Sequence, residues 1–220
     1  MPSRPEKPGM YEQLLPPEGR RYAMSLPDNY DGKRDMPLVL ALHWGGPVAP
    51  FTGKWLLQDL VEPALRELKA ILIAPDRTLD DWANPQSEAE TLELMDFIVQ
   101  NYPIDARRTL LTGYSIGGIG TWYIGARNQD RFAAVIPISA APLSETVDVD
   151  WSIPIRVIHS RQDEIFPLRP VEDVVHALEA RGVAIELHLV EAITHFETHR
   201  FRSSLHEAIG WVRNTWPEAA

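Results

Sequence analysis

The chain has 220 residues, 45% of them hydrophobic, and 21 Lys and Arg against 31 Asp and Glu give a formal net charge of −10. That length suits one domain with a sizeable core better than two, and the acidic balance argues against nucleic acid and anionic membrane surfaces as partners. With no cysteine in the chain, disulfides, thiolate catalysis and Cys-ligated zinc are excluded. The polar, proline-rich N-terminus lacks the apolar stretch of a secretion signal, and no apolar run has the length of a membrane span, so the cytoplasm is the expected compartment.

Residues 1–19 read as an extended lead-in to a single domain over 20–220. Residues 22–26 form the first expected strand, closed by Pro27-Asp28-Asn29. The run 38–42 (LVLAL) is continuously apolar, as in a strand buried on both faces, and 70–74 (AILIA) is another. Between them, 54–68 is helical in pattern, with Pro63 splitting or kinking it. A helix over 85–101 follows, with Asn84 as N-cap, Pro85 as first helical residue, and Ala89, Leu92, Met95, Ile98 and Val99 on its apolar stripe. Strands at 109–112, 133–138, 155–158 and 185–190 complete the set. They alternate with helices at 117–127 and 170–181, the latter carrying Val171, Val174, Val175 and Leu178 and closed by Gly182. A last helix has Ser204 and Glu207 as a capping box, then Leu205, Ala208, Ile209 and Val212. Strands alternating with amphipathic helices imply right-handed crossovers and a mostly parallel sheet covered on both faces. Ligands of such sheets bind beyond the carboxyl ends of the strands.

The sharpest motif stands at such an end. Gly113-Tyr114-Ser115-Ile116-Gly117 follows a strand directly and opens a helix. A serine at a cramped strand-to-helix turn projects its hydroxyl into the cleft, and the flanking positions must be small for strand and helix to approach. There the helix dipole favours developing negative charge, and the Ile116 N–H is aimed at an oxyanion. An alcohol needs a base, and the base needs an orienting carboxylate, expected in the chain order Ser, acid, His. Asp163 lies just past the strand at 155–158, with Glu164 as its competitor. Of the seven histidines, His176 and His206 fall on helices, His188 within a strand and His159 at a strand end. His195, in the loop after the last strand, is the candidate base, and His199 is its nearest rival. These two sit four apart, but Glu197 is misplaced for a zinc-binding HExxH pattern, so neither metal nor cofactor is expected. The fourth element is His43-Trp44-Gly45-Gly46, where the strand at 38–42 ends and the glycines let the backbone expose a second oxyanion donor.

With these residues in place, the chain resembles the α/β-hydrolase superfamily, and within it the carboxylesterase, feruloyl-esterase and polyhydroxyalkanoate-depolymerase-like serine esterases. The resemblance covers roughly residues 20–215. It rests on the Leu26-Pro27…Asn29-Tyr30 stretch leading to His43, the elbow through Gly118 with Gly120-Thr121-Trp122, the stretch Asp130-Arg131-Phe132, and the HSRQDEIFP and THF segments. It implies an α/β-hydrolase fold with Ser115 as nucleophile, Asp163 as acid and His195 as base. The chain departs from the family pattern in two places. Trp44 stands where the HG motif usually has glycine, which leaves Trp44 or Gly45 as the second oxyanion donor beside Ile116. Ile116 itself replaces the common Met.

The expected reaction is acyl transfer from an ester to water through an acyl-enzyme on Ser115. Activity should fall as pH drops below about 6–7, where histidine ordinarily titrates. The short segment between the strands at 133–138 and 155–158 leaves no room for a large lid domain, so accessible small-molecule esters, aryl or short acyl, are the expected substrates. His43, Trp82 and Tyr114 are candidate pocket residues and Trp44 a further one, whereas Trp122 reads as core. A peptidase or thioesterase would share the same three groups, and a catalytically silent binding protein would share the scaffold.

Overall fold

The computed structural model describes residues 4–47 and 49–217. Its strands are β1 (Gly9–Leu15), β2 (Arg20–Leu26), β3 (Met36–Leu42), β4 (Ile71–Pro75), β5 (Ile104–Tyr114), β6 (Ala134–Ile138), β7 (Ile155–Ser160) and β8 (Ile185–Val190). Its α-helices are α1 (Thr52–Leu56), α2 (Glu62–Leu65), α3 (Pro85–Asn101), α4 (Ile116–Arg127), α5 (Ser144–Val147), α6 (Leu168–Ala180) and α7 (Arg202–Thr215). One eight-stranded sheet runs in the order β1-β2-β4-β3-β5-β6-β7-β8. β1 and β2 are antiparallel to their neighbours, and every pair from β4 to β8 is parallel.

The period-two geometry of a strand explains why the central segments are apolar throughout. In β3, Leu38, Leu40 and Leu42 join the core layer shared with Met95 and Ile98 of α3, Trp122 of α4 and Val175 of α6. Val39 and Ala41 point the other way, into the layer shared with Leu56, Leu65, Leu205 and Ile209. The connection from β6 to β7 contains only the four-residue α5, so no large lid domain covers the strand ends.

Local signals account for several boundaries. Asn84 caps α3 by accepting from the N–H groups of Gln86 and Ser87 at 3.0 and 2.9 Å, and Pro85 supplies the first-turn φ. Gly182, at φ 82°, ends α6 in a Schellman turn: its N–H reaches Glu179 O at 2.9 Å and that of Val183 reaches Leu178 O at 3.1 Å. The 54–68 segment is broken as Pro63 dictates, into α1, a π-helical turn at Leu57–Val61, α2 and a 3₁₀ turn at Arg66–Leu68. Proline has no N–H to offer the carbonyl four residues earlier. That carbonyl, of Asp59, instead accepts from the Arg202 guanidinium.

Three expectations are corrected. Within the expected lead-in, Gly9–Leu15 is a sheet strand whose seven residues register against Leu26 to Arg20. The buried face of α3 is rotated: Ser87, Thr91, Leu94, Met95 and Ile98 are buried, whereas Ala89 is exposed. Burying the two hydroxyls is cheap because Ser87 donates to Asp81 O at 2.8 Å and Thr91 to Ser87 O at 2.7 Å. Ser204 and Glu207 form no capping box. A 3₁₀ turn at Thr198–Phe201 runs straight into α7, so Ser204 lies buried inside the helix, where no N-cap is needed.

Candidate active site

Ser115 is the single residue between β5 and α4. Its backbone sits at φ 59°, ψ −124°, a left-handed conformation that costs a side-chain-bearing residue about 1–3 kcal/mol. Neighbours hold it there. Its N–H donates to Ile138 O at 3.0 Å, and its carbonyl accepts from Gly118 and Ile119 at 2.8 and 3.1 Å. The motif glycines are required by contact. A Cβ on Gly113 would lie 2.2 Å from Gly117 O, and one on Gly117 would lie 2.0 Å from Leu42 O.

The Ser115 Oγ is 2.9 Å from His195 Nε2. On the far side of the ring, His195 Nδ1 donates to Asp163, 3.0 and 3.1 Å from its two carboxylate oxygens. Burial alone would push the Asp163 carboxyl up. Hydrogen bonds from His195, from Ser139 Oγ at 2.6 Å and from the Phe166 N–H at 2.8 Å outweigh it and bring the group down to about 2. Asp163 is therefore a carboxylate at neutral pH, so Nδ1 keeps its proton and Nε2 is free to accept one from the serine. The imidazole lies among aromatic rings: Tyr114 stacked at a centroid distance of 5.6 Å, Phe166 tilted at 5.5 Å and Phe196 edge-on at 5.4 Å. The buried Tyr114 phenol, pushed up to about 12 by its desolvation, stays protonated and donates to the His195 carbonyl.

Of the competing candidates, Glu164 does not touch the imidazole but accepts from the His195 main-chain N–H at 2.9 Å. His199 lines the cleft on a short 3₁₀ turn. Ser139, at the carboxyl end of β6 with φ 52°, had no sequence signal beyond its position at a strand end, yet it grips Asp163 directly.

Ile116 is the first residue of α4, one of the positions whose N–H has no acceptor within its own helix. Gly45 lies over it, with its Cβ direction meeting the Ile116 side chain at 3.5 Å, so the loop after β3 borders the same space. That loop is braced from below. His43 is fully buried; its Nε2 accepts the Arg77 N–H at 3.1 Å, so the proton sits on Nδ1 and is donated to Trp44 O at 2.8 Å. Trp82 Nε1 donates to His43 O at 2.8 Å, and the Arg77 guanidinium donates to Gly46 O at 2.8 Å.

These contacts correct the expected pocket. His43, at the end of β3, and Trp82, in the connection between β4 and α3, are both buried beneath the loop after β3, where their hydrogen bonds brace it. Tyr114 does line the cleft, together with Trp44, Gly45, Gly46, Ile165, Phe196 and His199, around a volume of about 580 Å³. Trp122 is core, packed edge-on against Trp151.

An eight-stranded sheet of this order, with a strained serine at the end of β5 and a histidine and a carboxylate from the loops after β8 and β7, defines an α/β-hydrolase fold. The chain belongs to the dienelactone hydrolase family, whose model matches residues 82–209. It is 27% identical over 164 residues to a probable feruloyl esterase C of Aspergillus terreus, an alignment covering 68% of this chain and 57% of that protein. A putative carboxymethylenebutenolidase of Salmonella typhi is 31% identical over 121 residues, covering 50% of this chain and 45% of its own. The chain thus spans about half the length of these relatives. Among solved structures, a ferulic acid esterase superposes with a TM-score of 0.77 at 17% identity, over 96% of this chain and all of the other. A thermostable esterase superposes with a TM-score of 0.72 at 22% identity, over 93% of this chain and 62% of the other.

Proposed function

We propose that this chain is a serine hydrolase that cleaves carboxylic esters of small molecules through an acyl-enzyme on Ser115. The observation that carries the reading is the 2.9 Å approach of a strained serine hydroxyl to an imidazole backed by an ionised carboxylate. In this reading His195 takes the Ser115 proton as Oγ attacks the ester carbonyl. The N–H groups of Ile116 and of Trp44 or Gly45 hold the resulting oxyanion, and Asp163 stabilises the imidazolium. His195 then returns the proton to the leaving alcohol and activates a water that releases the acid. All these groups belong to the chain itself, so the mechanism needs no metal or cofactor.

Small aryl or short acyl esters suit a cleft that has no large lid and is bordered by Trp44, Tyr114, Ile165 and Phe196. The feruloyl esterases among its relatives favour the aryl member of that pair. In this reading the activity is cytoplasmic. No helix among the described residues is long and apolar enough to cross a membrane. A fluorophosphonate probe should label the protein and fail to label Ser115→Ala, and p-nitrophenyl esters of graded acyl length should be turned over. Labelling that survives Ser115→Ala, or exclusive cleavage of peptides or thioesters, would overturn the reading.

A further inference from the structure

The candidate acid and base stand on different loops, and the chain between Ser160 and Glu164 grips the chain between Val190 and His195 at every step. Ser160 Oγ donates to Ile193 O. The Arg161 N–H donates to Val190 O at 3.0 Å, and its guanidinium pairs with Glu191. Gln162 Oε1 accepts from the N–H of Ala192 at 2.7 Å, and Ala192 is held at φ 56°. Asp163 takes the His195 side chain, and Glu164 Oε2 takes the His195 main-chain N–H at 2.9 Å. Beneath them His159 Nε2 donates to Phe166 O at 2.8 Å. That contact steadies the turn whose Ile165 and Phe166 N–H groups hold Asp163 Oδ1 at 3.0 and 2.8 Å.

The two adjacent acids therefore hold one histidine at two points. Asp163 fixes how the ring is turned about its side-chain bonds, and Glu164 on the amide, with the Tyr114 hydroxyl on the carbonyl, fixes where the main chain delivers it. An imidazole hydrogen-bonded only through Nδ1 can still swing about that contact. Anchoring the backbone amide as well removes the swing and keeps Nε2 within reach of Ser115 Oγ.

We infer that Glu164 is a positioning residue, whose carboxylate anchors the His195 main chain so that the imidazole meets Ser115 in register. The inference rests on the ester-hydrolase reading for its catalytic consequence, but the contact itself is measurable without it. Small misplacements of a reacting group are expensive, about 100-fold for 1 Å. Loss of one anchor while the Asp163 contact and the Tyr114 hydroxyl on the His195 carbonyl remain should cost less.

The test compares Glu164→Ala with Glu164→Gln in the whole chain. The amide oxygen of glutamine still accepts from the His195 N–H, but the negative charge is gone. Glu164→Ala should lower kcat on a p-nitrophenyl ester and the rate of fluorophosphonate labelling by about 10-fold, with KM and the melting temperature little changed. Glu164→Gln should recover most of that loss. Hydrogen exchange of the His195 amide should be slow in the parent and in Glu164→Gln and fast in Glu164→Ala. The inference fails if glutamine behaves like alanine in rate, since charge rather than the acceptor would then matter. It also fails if alanine changes neither the rate nor the exchange. If the parent neither labels nor turns over esters while the exchange pattern holds, the hydrolase reading falls and the anchor stands.

Discussion

Replacing Ser115 by glycine should leave the protein inactive and make it more stable than the alanine variant. Both substitutions remove Oγ and its 2.9 Å contact with His195 Nε2, so both should lower kcat by about 10⁴–10⁶-fold if the three groups act as a unit. They differ in the backbone. At φ 59°, ψ −124°, alanine keeps a Cβ in a conformation that costs about 1–3 kcal/mol, whereas glycine carries no Cβ. Glycine gives back about 0.5–1 kcal/mol through the greater freedom of its unfolded chain. Ser115 makes no side-chain cap to α4, so neither variant loses a capping bond. The balance favours glycine by up to about 2.5 kcal/mol, centred on about 1 kcal/mol, which at this chain length is roughly 2–4 °C in melting temperature at the centre of the range. Thermal and urea denaturation of the parent and the two variants measure it directly, with ester hydrolysis as the control for activity. A glycine variant that melts below the alanine variant would refute the claim that the elbow stores strain.

Gly117→Ala should be among the most damaging single changes. A Cβ 2.0 Å from Leu42 O cannot be accommodated without parting α4 from β3, and a loss of about 3 kcal/mol or more, with most soluble expression, is expected in denaturation experiments. Stability should also fall on the acid side through His43, whose burial holds it down to about 4 from an ordinary 6.5. Because the folded value is lowered, the unfolded chain binds the extra proton first. Stability is therefore complete above about 6.5 and declines as pH falls towards 4, by about 3 kcal/mol at the lower end. Unfolding free energies at pH 7 and 4.5 should differ less in His43→Gln than in the parent, and an unchanged difference would count against the neutral, Arg77-bound imidazole.

Much of the fold was legible because its signals are local. A run such as LVLAL has few alternatives to a doubly covered strand, and Asn84-Pro85 and Gly182 punctuate helices through hydrogen bonds made within a few residues. The approach of Ser115 to its partners was legible because a parallel sheet delivers the ends of β5, β7 and β8 to one edge. β1 was missed because Gly9–Leu15 is a partly exposed edge strand beside prolines, without the alternation that a half-buried strand displays. The pocket assignment of His43 and Trp82 failed for a different reason. Position at a strand end places a residue near the cleft without saying which way the turning backbone points its side chain. The same limit hid Ser139, whose role depends on the neighbouring β7 loop, and left the choice of Asp163 over Glu164 to the family resemblance. Adjacent acids in a turn differ only in direction, and here one faces the ring while the other faces the amide.

The groups that meet in the cleft come from far apart along the chain: Ser115 and His195 are separated by 80 residues, and Asp163 and His195 by 32. The last of them hangs from β8, which borders the sheet on one side only. During refolding the central strands can therefore assemble around a hydroxyl that still has no base. On the ester-hydrolase reading, turnover cannot return during refolding until that final edge has docked and brought His195 to Ser115.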